Sequence, residues 1–312
     1  MLSEKDISFE EYTDTPDGKR ILFIVNPFAG KGIRKKKLQK IINIFKNDGW
    51  HVTLYLTVSR GDATQRVKMT DGKFDRIVCL GGDGTLNEVI RGVMQLENPV
   101  PVGYIPAGST NDLGSSIGLP KNNYKAAKIV SKGRIREHDI GMFNGESFVY
   151  IASFGAFTEV SWDTPQKIKK IMGHLAYVFR GAKSLFKIKS THTVVTTDTR
   201  TFEGNYIFCG AANTMQTGGI YKFNESEVNL SDGLLEVILV KNPESAADVP
   251  NLIHRLISHR FDQMEVTFIH TRKAVFSYPE KDYPIWTLDG EKGESDGDVT
   301  IECVHGKVNL IY

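Results

Sequence analysis

The stretch that decides the fold is Gly81-Gly82-Asp83-Gly84-Thr85-Leu86-Asn87-Glu88, which directly follows an apolar run over residues 76–80. The apolar run is typical of a buried strand. After it, apolar residues recur at helical spacing, namely Leu86, Val89, Ile90 and Val93. The sequence therefore predicts a strand, a glycine-rich turn and a helix, with the carboxylate of Asp83 in the turn.

The glycines of this turn allow positive φ and a close approach of a ligand to the backbone. The N–H groups of the turn and of the helix N-terminus then face one spot, which suits a phosphate. Asp83 is placed to hold a metal ion that the phosphate also binds. The alternative is a tight strand-to-helix turn that Asp83 caps. The dinucleotide pattern G-x-G-x-x-G requires glycine where Asn87 stands, and the Walker pattern matches neither here nor at Gly30-Lys31.

Composition sets broad limits on the function. The 312 residues are enough for two domains, and the 40% hydrophobic and 24% charged fractions are ordinary for a soluble globular protein. A net charge of +2 indicates no general attraction to nucleic acid, and the three single cysteines favour buried thiols over a zinc site or disulfides. No apolar run approaches the ~18 residues of a membrane span. Because the acidic segment 3–17 is not typical of a signal peptide, we expect a cytoplasmic protein.

Strands and helices alternate over residues 1–138, which predicts an α/β domain with a doubly wound parallel sheet. Glycine-bearing loops follow three of its strands, at Asn26, Gly81 and Pro106. Because such loops leave the same edge of a parallel sheet, we expect them to converge on one cleft. Over residues 139–304, short strands separated by turn residues favour a larger antiparallel β-sandwich, with helical spacing at 166–189 and 248–260.

Four segments in order carry a family resemblance. They are Asn26-Pro27 with Gly30-Lys31-Gly32, the central glycine stretch, Pro106-Ala107-Gly108-Ser109-Thr110-Asn111-Asp112, and Leu288-Asp289-Gly290-Glu291. The set resembles the soluble bacterial diacylglycerol kinase family and its sphingosine and ceramide kinase relatives, over nearly the whole chain. Ser109 departs from the commonest family pattern, which has threonine there, and it keeps the hydroxyl.

The resemblance implies ATP-dependent phosphorylation of a lipid hydroxyl, most readily that of diacylglycerol, with ATP and Mg²⁺ as cofactors. It implies a nucleotide domain over residues 1–138, a lipid-substrate domain over 139–304, and a last strand near 305–312 that returns to the first domain. Lys31 either pairs with a phosphate or is a solvated loop lysine. The candidate nucleotide-binding residues are Asn26, Gly30, Lys31, Gly82, Gly84, Thr85, Gly108, Ser109 and Asn111.

Acidic residues supply the candidate catalytic and metal-binding groups. Asp83 and Asp112 stand on two loops expected to face the cleft, and their carboxylates suit Mg²⁺ beside phosphates. The alternative is that Asn111 and Asp112 cap the short helix that follows. Asp289 and Glu291 are two residues apart, so an extended segment would point both carboxylates to one side. The resemblance assigns the general base to Asp289 and a water-mediated metal link to Glu291; an acidic turn is the alternative.

The resemblance also implies a structural Mg²⁺ held by Asp232, between loops of the second domain. Ser231 precedes it where an aspartate is common, so one ligand of such a site is missing from the pattern. The alternative for Asp232-Gly233 is an ordinary hairpin turn.

The stretch 164–197 has no acidic residue, and its basic residues alternate with large apolar ones. The seven basic residues are Lys167, Lys169, Lys170, Arg180, Lys183, Lys187 and Lys189. This pattern favours docking of the stretch 167–189 on anionic lipid headgroups, while an amphipathic helix packed on the sandwich is the alternative. We expect a peripheral protein at the inner membrane face that acts on a lipid and binds no nucleic acid, with a homodimer left open.

Two other functions fit parts of the sequence. The central glycine motif also resembles that of NAD kinases, which would form NADP without lipid turnover. A nucleotide-sensing regulatory protein could keep the fold without catalysis, although all the candidate carboxylates are present here.

Overall fold

The computed structural model describes residues 18–30, 32–156, 189–214, 216–217, 221–222, 228–245, 247–258 and 265–312. These residues form two compact units. One ends at His138 and also includes His305–Tyr312, and the other is Asp139–Val304. The predicted helix over 166–189 lies outside the described residues, apart from Lys189. Within the described ranges, no helix is both long and apolar enough to cross a membrane.

A parallel sheet forms the centre of the first unit. Its strands are β1 (Lys19–Val25), β2 (Trp50–Leu56), β3 (Arg76–Gly81), β4 (Val102–Pro106) and the end of β17 (Val299–Ile311). They lie in the order β2-β1-β3-β4-β17, and each neighbouring pair is parallel. Leu310 lies opposite Val102, so the end of the chain completes this sheet. The predicted N-terminal parallel sheet is confirmed.

Helices connect these strands and cover the sheet. They are α1 (Lys35–Asn47), α2 (Asp62–Lys68), α3 (Asp83–Val93), α4 (Asp112–Ser116) and α5 (Asn123–Lys132). Leu38, Ile41 and Phe45 lie on one face of α1 and are buried, which is the result of their helical spacing. Phe45 meets the ring of Phe23 edge-on, with the ring centroids 5.5 Å apart. All residues of β3 are buried, as expected for a central parallel strand.

Antiparallel strands make up most of the second unit. In chain order they are the end of β5 (Ile135–Phe143), β6 (Glu146–Phe148), β7 (Ile151–Gly155), β8 (Thr191–Thr197), β9 (Thr201–Ala212), β10 (Gln216–Thr217), β11 (Tyr221–Lys222), β12 (Leu235–Lys241), β13 (Val266–Thr271), β14 (Lys273–Ser277), β15 (Trp286–Leu288), β16 (Glu291–Gly293) and the start of β17. The main path is β16-β15-β7-β9-β8-β14-β17, and β12 and β13 branch from β9. The helix predicted at 248–260 is α6 (Val249–Ser258).

The core of the second unit is built around the fully buried side chain of Trp286. Its ring lies 4.9 Å from Phe154, 5.1 Å from Phe276 and 5.2 Å from Phe143, each in an edge-on arrangement. Its indole N–H donates to the Tyr278 hydroxyl at 2.9 Å, so the polar atom inside this core is satisfied. The strands and this core confirm the predicted antiparallel, strand-rich C-terminal domain.

Glu236 on β12 is an exception to this apolar interior. The side chain is fully buried, and neither carboxylate oxygen has a hydrogen-bond partner among the described residues. Burial, together with the nearby carboxylates of Asp232 and Asp139, raises the pKa of Glu236 to about 8. The folded protein therefore favours the protonated acid.

This burial predicts a pH-dependent loss of stability. The pKa is higher in the folded state than in the unfolded state, so the stabilising contribution is complete below the ordinary pKa of 4.5 and is lost as pH rises through about 8. Between pH 5 and pH 8 the free energy of unfolding of the wild type should fall by on the order of 3 kcal/mol more than that of Glu236→Gln. Urea denaturation at both pH values measures this difference. The exposed Glu244→Gln is the control. An equal fall in the free energy of unfolding for wild type and Glu236→Gln would contradict the raised pKa of Glu236.

Candidate active site

Three loops meet at the edge of the first unit's sheet where β1, β3 and β4 end. Gly30, with φ +60°, lies so close to the third loop that an added Cβ would be 2.5 Å from the carbonyl oxygen of Ala107. The first and second loops are joined by Asn26, whose side-chain amide donates to Thr85 Oγ1 at 3.1 Å. The expected convergence of the three glycine-bearing loops is confirmed.

The second and third loops touch through their backbones. A Cβ on Gly108 would lie 2.6 Å from the Cα of Gly82, a distance that real side chains do not occupy. The ladder between β3 and β4 also continues past the strand end, because Ala107 N–H donates to the carbonyl of Gly81 at 2.7 Å. These contacts place the start of α3 beside the third loop.

Asp83 is the first residue of α3, and its carboxylate faces the third loop. Its Oδ2 accepts the backbone N–H of Asn111 at 2.8 Å. Its Oδ1 is buried and has no hydrogen-bond partner among the described residues. Burial raises the pKa of Asp83, while backbone N–H groups, with that of Asp112 first, lower it in part. A partly buried carboxylate with one unsatisfied oxygen is a candidate ligand for a cation.

Asn111 organises the third loop. It has the left-handed φ of +56°, which asparagine tolerates better than most residues. Its Oδ1 accepts from Gly108 N–H at 2.8 Å and from the Tyr104 hydroxyl at 3.0 Å, and its Nδ2 donates to the Gly108 carbonyl at 2.9 Å. The side chain therefore contacts its own loop, and its predicted binding of the nucleotide stays a prediction.

The remaining predicted residues of this unit occupy different environments. Gly84 and Ser109 are exposed, whereas Asp112 is buried at the start of α4. Thr85 is also buried, under the first loop. Lys31 lies outside the described residues.

These residues fit a hard cation held beside phosphates. Asp83 has an unsatisfied buried oxygen, and Asp112 follows directly after the residue that binds the other oxygen of that carboxylate. No cluster of three or more His, Cys, Asp or Glu side chains arranged to hold a metal occurs in the described part of the chain. Two carboxylates on neighbouring loops suit Mg²⁺, which is usually bound by one or two carboxylates together with water and phosphate oxygens.

A fourth loop, which connects β2 to α2, reaches the same edge of the sheet, and its residues were not predicted to belong to the site. Glu88 on α3 accepts the N–H of Gly61 at 2.8 Å and that of Ala63 at 3.2 Å, which fixes the connection between β2 and α2. Thr57 begins this connection and is buried. The sequence did contain an indication of this contact, because Glu88 stands next to the apolar residues of α3. A half-buried carboxylate requires hydrogen-bond donors, so its position predicts a nearby loop that supplies them.

In the second unit, Asp289 lies in a hairpin turn. Leu288 pairs with Glu291 across the turn, and both Asp289 (φ +51°) and Gly290 (φ +87°) have positive φ. The segment is therefore a turn, which was the alternative to an extended segment with both carboxylates on one side. An Asp-Gly pair with two positive φ angles is favoured in a two-residue hairpin because its twist matches that of the strands. Glu291 is exposed at the start of β16.

The Asp289 carboxylate is bound by three consecutive backbone N–H groups. Oδ2 accepts from Val149 at 2.7 Å, and Oδ1 accepts from Tyr150 and Ile151, each at 3.0 Å. The Asp289 N–H in turn donates to the Ile151 carbonyl at 2.9 Å. These bonds fix the orientation of the carboxylate at the beginning of β7.

Asp232 is exposed, and its contacts are local. Its Oδ1 accepts the N–H of Leu234 at 3.0 Å, which closes a short turn. The next residue, Gly233, donates its N–H to Asp139 Oδ2 at 2.7 Å. This geometry is that of the turn considered as an alternative, and metal binding by Asp232 stays a prediction.

Comparison with known proteins places the chain in a family. Residues 20–143 match the model of the diacylglycerol kinase catalytic domain. The diacylglycerol kinase of Bacillus subtilis is 32% identical over 277 residues, which are 88% of this chain and 90% of that protein. The diacylglycerol kinase of Staphylococcus saprophyticus is 30% identical over 281 residues, with the same coverage of both chains.

Solved structures agree with this assignment. A crystal structure described as a diacylglycerol kinase from Bacillus anthracis has a TM-score of 0.79 and 26% sequence identity, and the match covers 96% of this chain and 98% of that one. The similarity thus extends over both units. The chain belongs to the diacylglycerol kinase family and is a lipid kinase.

Proposed function

We propose that this lipid kinase transfers the γ-phosphate of ATP to the hydroxyl of diacylglycerol and forms phosphatidic acid. The observation that carries the proposal is the partly buried Asp83 carboxylate with its unsatisfied Oδ1, which stands at the N-terminus of α3 where three loops converge. The lipid acceptor is supported by the names of the similar chains, which are diacylglycerol kinases.

The first unit supplies the nucleotide side. Phosphoryl transfer depends mainly on positioning and on stabilisation of charge. The N–H groups at Gly82, Gly84 and Thr85, at the start of α3, would hold phosphate oxygens. Asp83 and Asp112 would hold Mg²⁺, which when bound neutralises phosphate charge. Asn26, Gly30, Lys31, Gly108, Ser109 and Asn111 are proposed to line the remainder of the nucleotide site.

The second unit supplies the proton acceptor. Asp289 is proposed as the general base that accepts the proton of the lipid hydroxyl as the new phosphorus–oxygen bond forms. Its three backbone N–H donors support this role, since a base acts efficiently only when it is held in a fixed position. Glu291 is proposed to reach the cation through water.

The lipid surface is proposed to be recognised by residues 167–189, with the protein in the cytoplasm and peripheral to the inner membrane face. Lys189, which is described, forms an exposed ion pair with Asp282 at 2.6 Å, so its charge is shared. We also propose that the protein forms a homodimer. Light scattering measures the molar mass in solution and so tests this oligomeric state.

The deciding experiment is transfer of labelled γ-phosphate from ATP to mixed-lipid vesicles in the presence of Mg²⁺, with NAD in a parallel reaction. A labelled lipid that migrates as phosphatidic acid is the expected result. Label in a different lipid would replace diacylglycerol as the acceptor. Label in NADP alone would favour an NAD kinase, and ATP binding without transfer would favour a regulatory protein.

Asp83→Asn should reduce turnover by on the order of 100-fold or more, because the charge that holds the cation is lost. The fold should persist, since the amide oxygen can still accept the Asn111 N–H. Phosphate transfer and circular dichroism measure the two effects. Asp71→Asn is the matched control, because Asp71 caps backbone N–H groups elsewhere in the same unit. Turnover near the wild-type rate in Asp83→Asn would contradict the role of Asp83.

Two substitutions of Asp289 should separate its proposed role as a base from its hydrogen bonds to the backbone N–H groups of residues 149–151. Asp289→Asn and Asp289→Ala should both lower turnover at least ~100-fold, because neither residue accepts a proton. The alanine variant should also be less stable than the asparagine variant by about 3 kcal/mol, since it disfavours positive φ and leaves all three N–H groups unpaired, whereas the asparagine amide oxygen can still accept from Tyr150 and Ile151. Urea denaturation and the transfer assay measure these values. An active Asp289→Asn enzyme would remove Asp289 from the role of base.

A further inference from the structure

Tyr104 on β4 has a buried hydroxyl group that takes no part in the proposed chemistry. The side chain is 1% exposed, and its hydroxyl lies 3.0 Å from Asn111 Oδ1 and 3.4 Å from the carbonyl oxygen of Gly81. The hydroxyl therefore contacts the end of β3 and the third loop at once. A buried tyrosine hydroxyl requires such partners, and here both belong to the candidate site.

The position of this hydroxyl is fixed by packing around the ring. A Cβ on Gly114 in α4 would lie 3.1 Å from Tyr104 Cε1 and 2.8 Å from Pro106 Cγ. The helix thus approaches β4 closely because residue 114 has no side chain. With the ring held between β4 and α4, the hydroxyl can reach only one small region of the third loop.

Asn111 connects the Tyr104 hydroxyl to the Asp83 carboxylate through hydrogen bonds. Its side chain is held by the Tyr104 hydroxyl and by two bonds to Gly108, and its φ of +56° turns its own backbone N–H toward Asp83 Oδ2 at 2.8 Å. That N–H occupies one carboxylate oxygen. The other oxygen, the unsatisfied Oδ1, is then the one directed to a ligand.

We propose that Tyr104 is a positioning residue, whose hydroxyl holds Asn111 so that the Asn111 N–H orients the Asp83 carboxylate for a divalent cation. This inference rests on the proposed function, in which Asp83 binds Mg²⁺ beside the nucleotide. Tyr104 touches neither the cation nor the substrate and acts through Asn111.

Removal of the hydroxyl leaves no buried acceptor without a donor. In Tyr104→Phe, Asn111 Oδ1 still accepts from Gly108 N–H, and the Gly81 carbonyl still accepts from Ala107 N–H. The variant should therefore fold normally, with a thermal midpoint close to that of the wild type in the absence of ligand. Its effect should appear only when the cation binds.

The test measures cation binding directly. Wild type and variants are titrated with Mg²⁺ in the presence of a non-hydrolysable ATP analogue, and the rise in thermal midpoint is followed. Tyr104→Phe should require on the order of 10-fold more Mg²⁺ for half of the rise, as is usual when a group that orients a metal ligand is lost. Turnover should show the same shift in Mg²⁺ requirement, with the KM for lipid unchanged.

Two controls separate this role from a simple loss of packing. Tyr124→Phe removes a hydroxyl from a partly buried tyrosine of the same unit and should leave the Mg²⁺ titration unchanged. Asn111→Gly permits the same φ without the side chain, and in that background Tyr104→Phe should have no further effect, because the connection is already broken.

The outcomes are distinct. An unchanged Mg²⁺ titration in Tyr104→Phe, or equal effects in the wild-type and Asn111→Gly backgrounds, would overturn the inference. A lower thermal midpoint without a change in Mg²⁺ requirement would do the same and would assign Tyr104 to packing alone. If the wild type shows no rise with Mg²⁺ and the analogue, the proposed nucleotide site itself is wrong.

Discussion

The candidate site in the first unit depends on one steric constraint, which is the contact between two backbones where no side chain fits. A Cβ on Gly108 would lie 2.6 Å from Gly82 Cα, so any other residue at position 108 would push the third loop away from the start of α3. Asn111 belongs to that loop, and its N–H would then move away from Asp83. The hydrogen bond that the Asp83 carboxylate accepts therefore depends on the close approach of Gly82 and Gly108.

Asp83 and Asp289 show two ways in which a fold holds a carboxylate. Asp83 is partly buried with one oxygen inaccessible and unsatisfied, and burial raises its pKa. A charge in such surroundings contributes little to stability, so its presence is better explained by ligand binding. Asp289 accepts three backbone N–H bonds and thereby also determines where β7 begins. Its side chain combines a structural contribution with the proposed chemistry.

Much of the fold was predictable because it depends on local pattern. The buried strands of the parallel sheet are short apolar runs, and α1 follows from the spacing of Leu38, Ile41 and Phe45. The change to short strands with turn residues after residue 139 was also visible. Around Asp289 the sequence left an extended segment and a turn open, because the same residues fit both, and only the pairing of β15 with β16 shows that the segment is a hairpin turn.

The sequence by itself determined which elements form and which residue types stand at their ends, including the carboxylates and glycines of the loops. The tertiary structure decided which of these groups meet. Asn111 and Asp83 are 28 residues apart, and Val149 and Asp289 are 140 apart. Contacts at such separations have no periodic signal along the chain, because they arise only when packing of the intervening elements brings the groups within hydrogen-bond distance. The roles of Tyr104 and Glu88 became visible for the same reason.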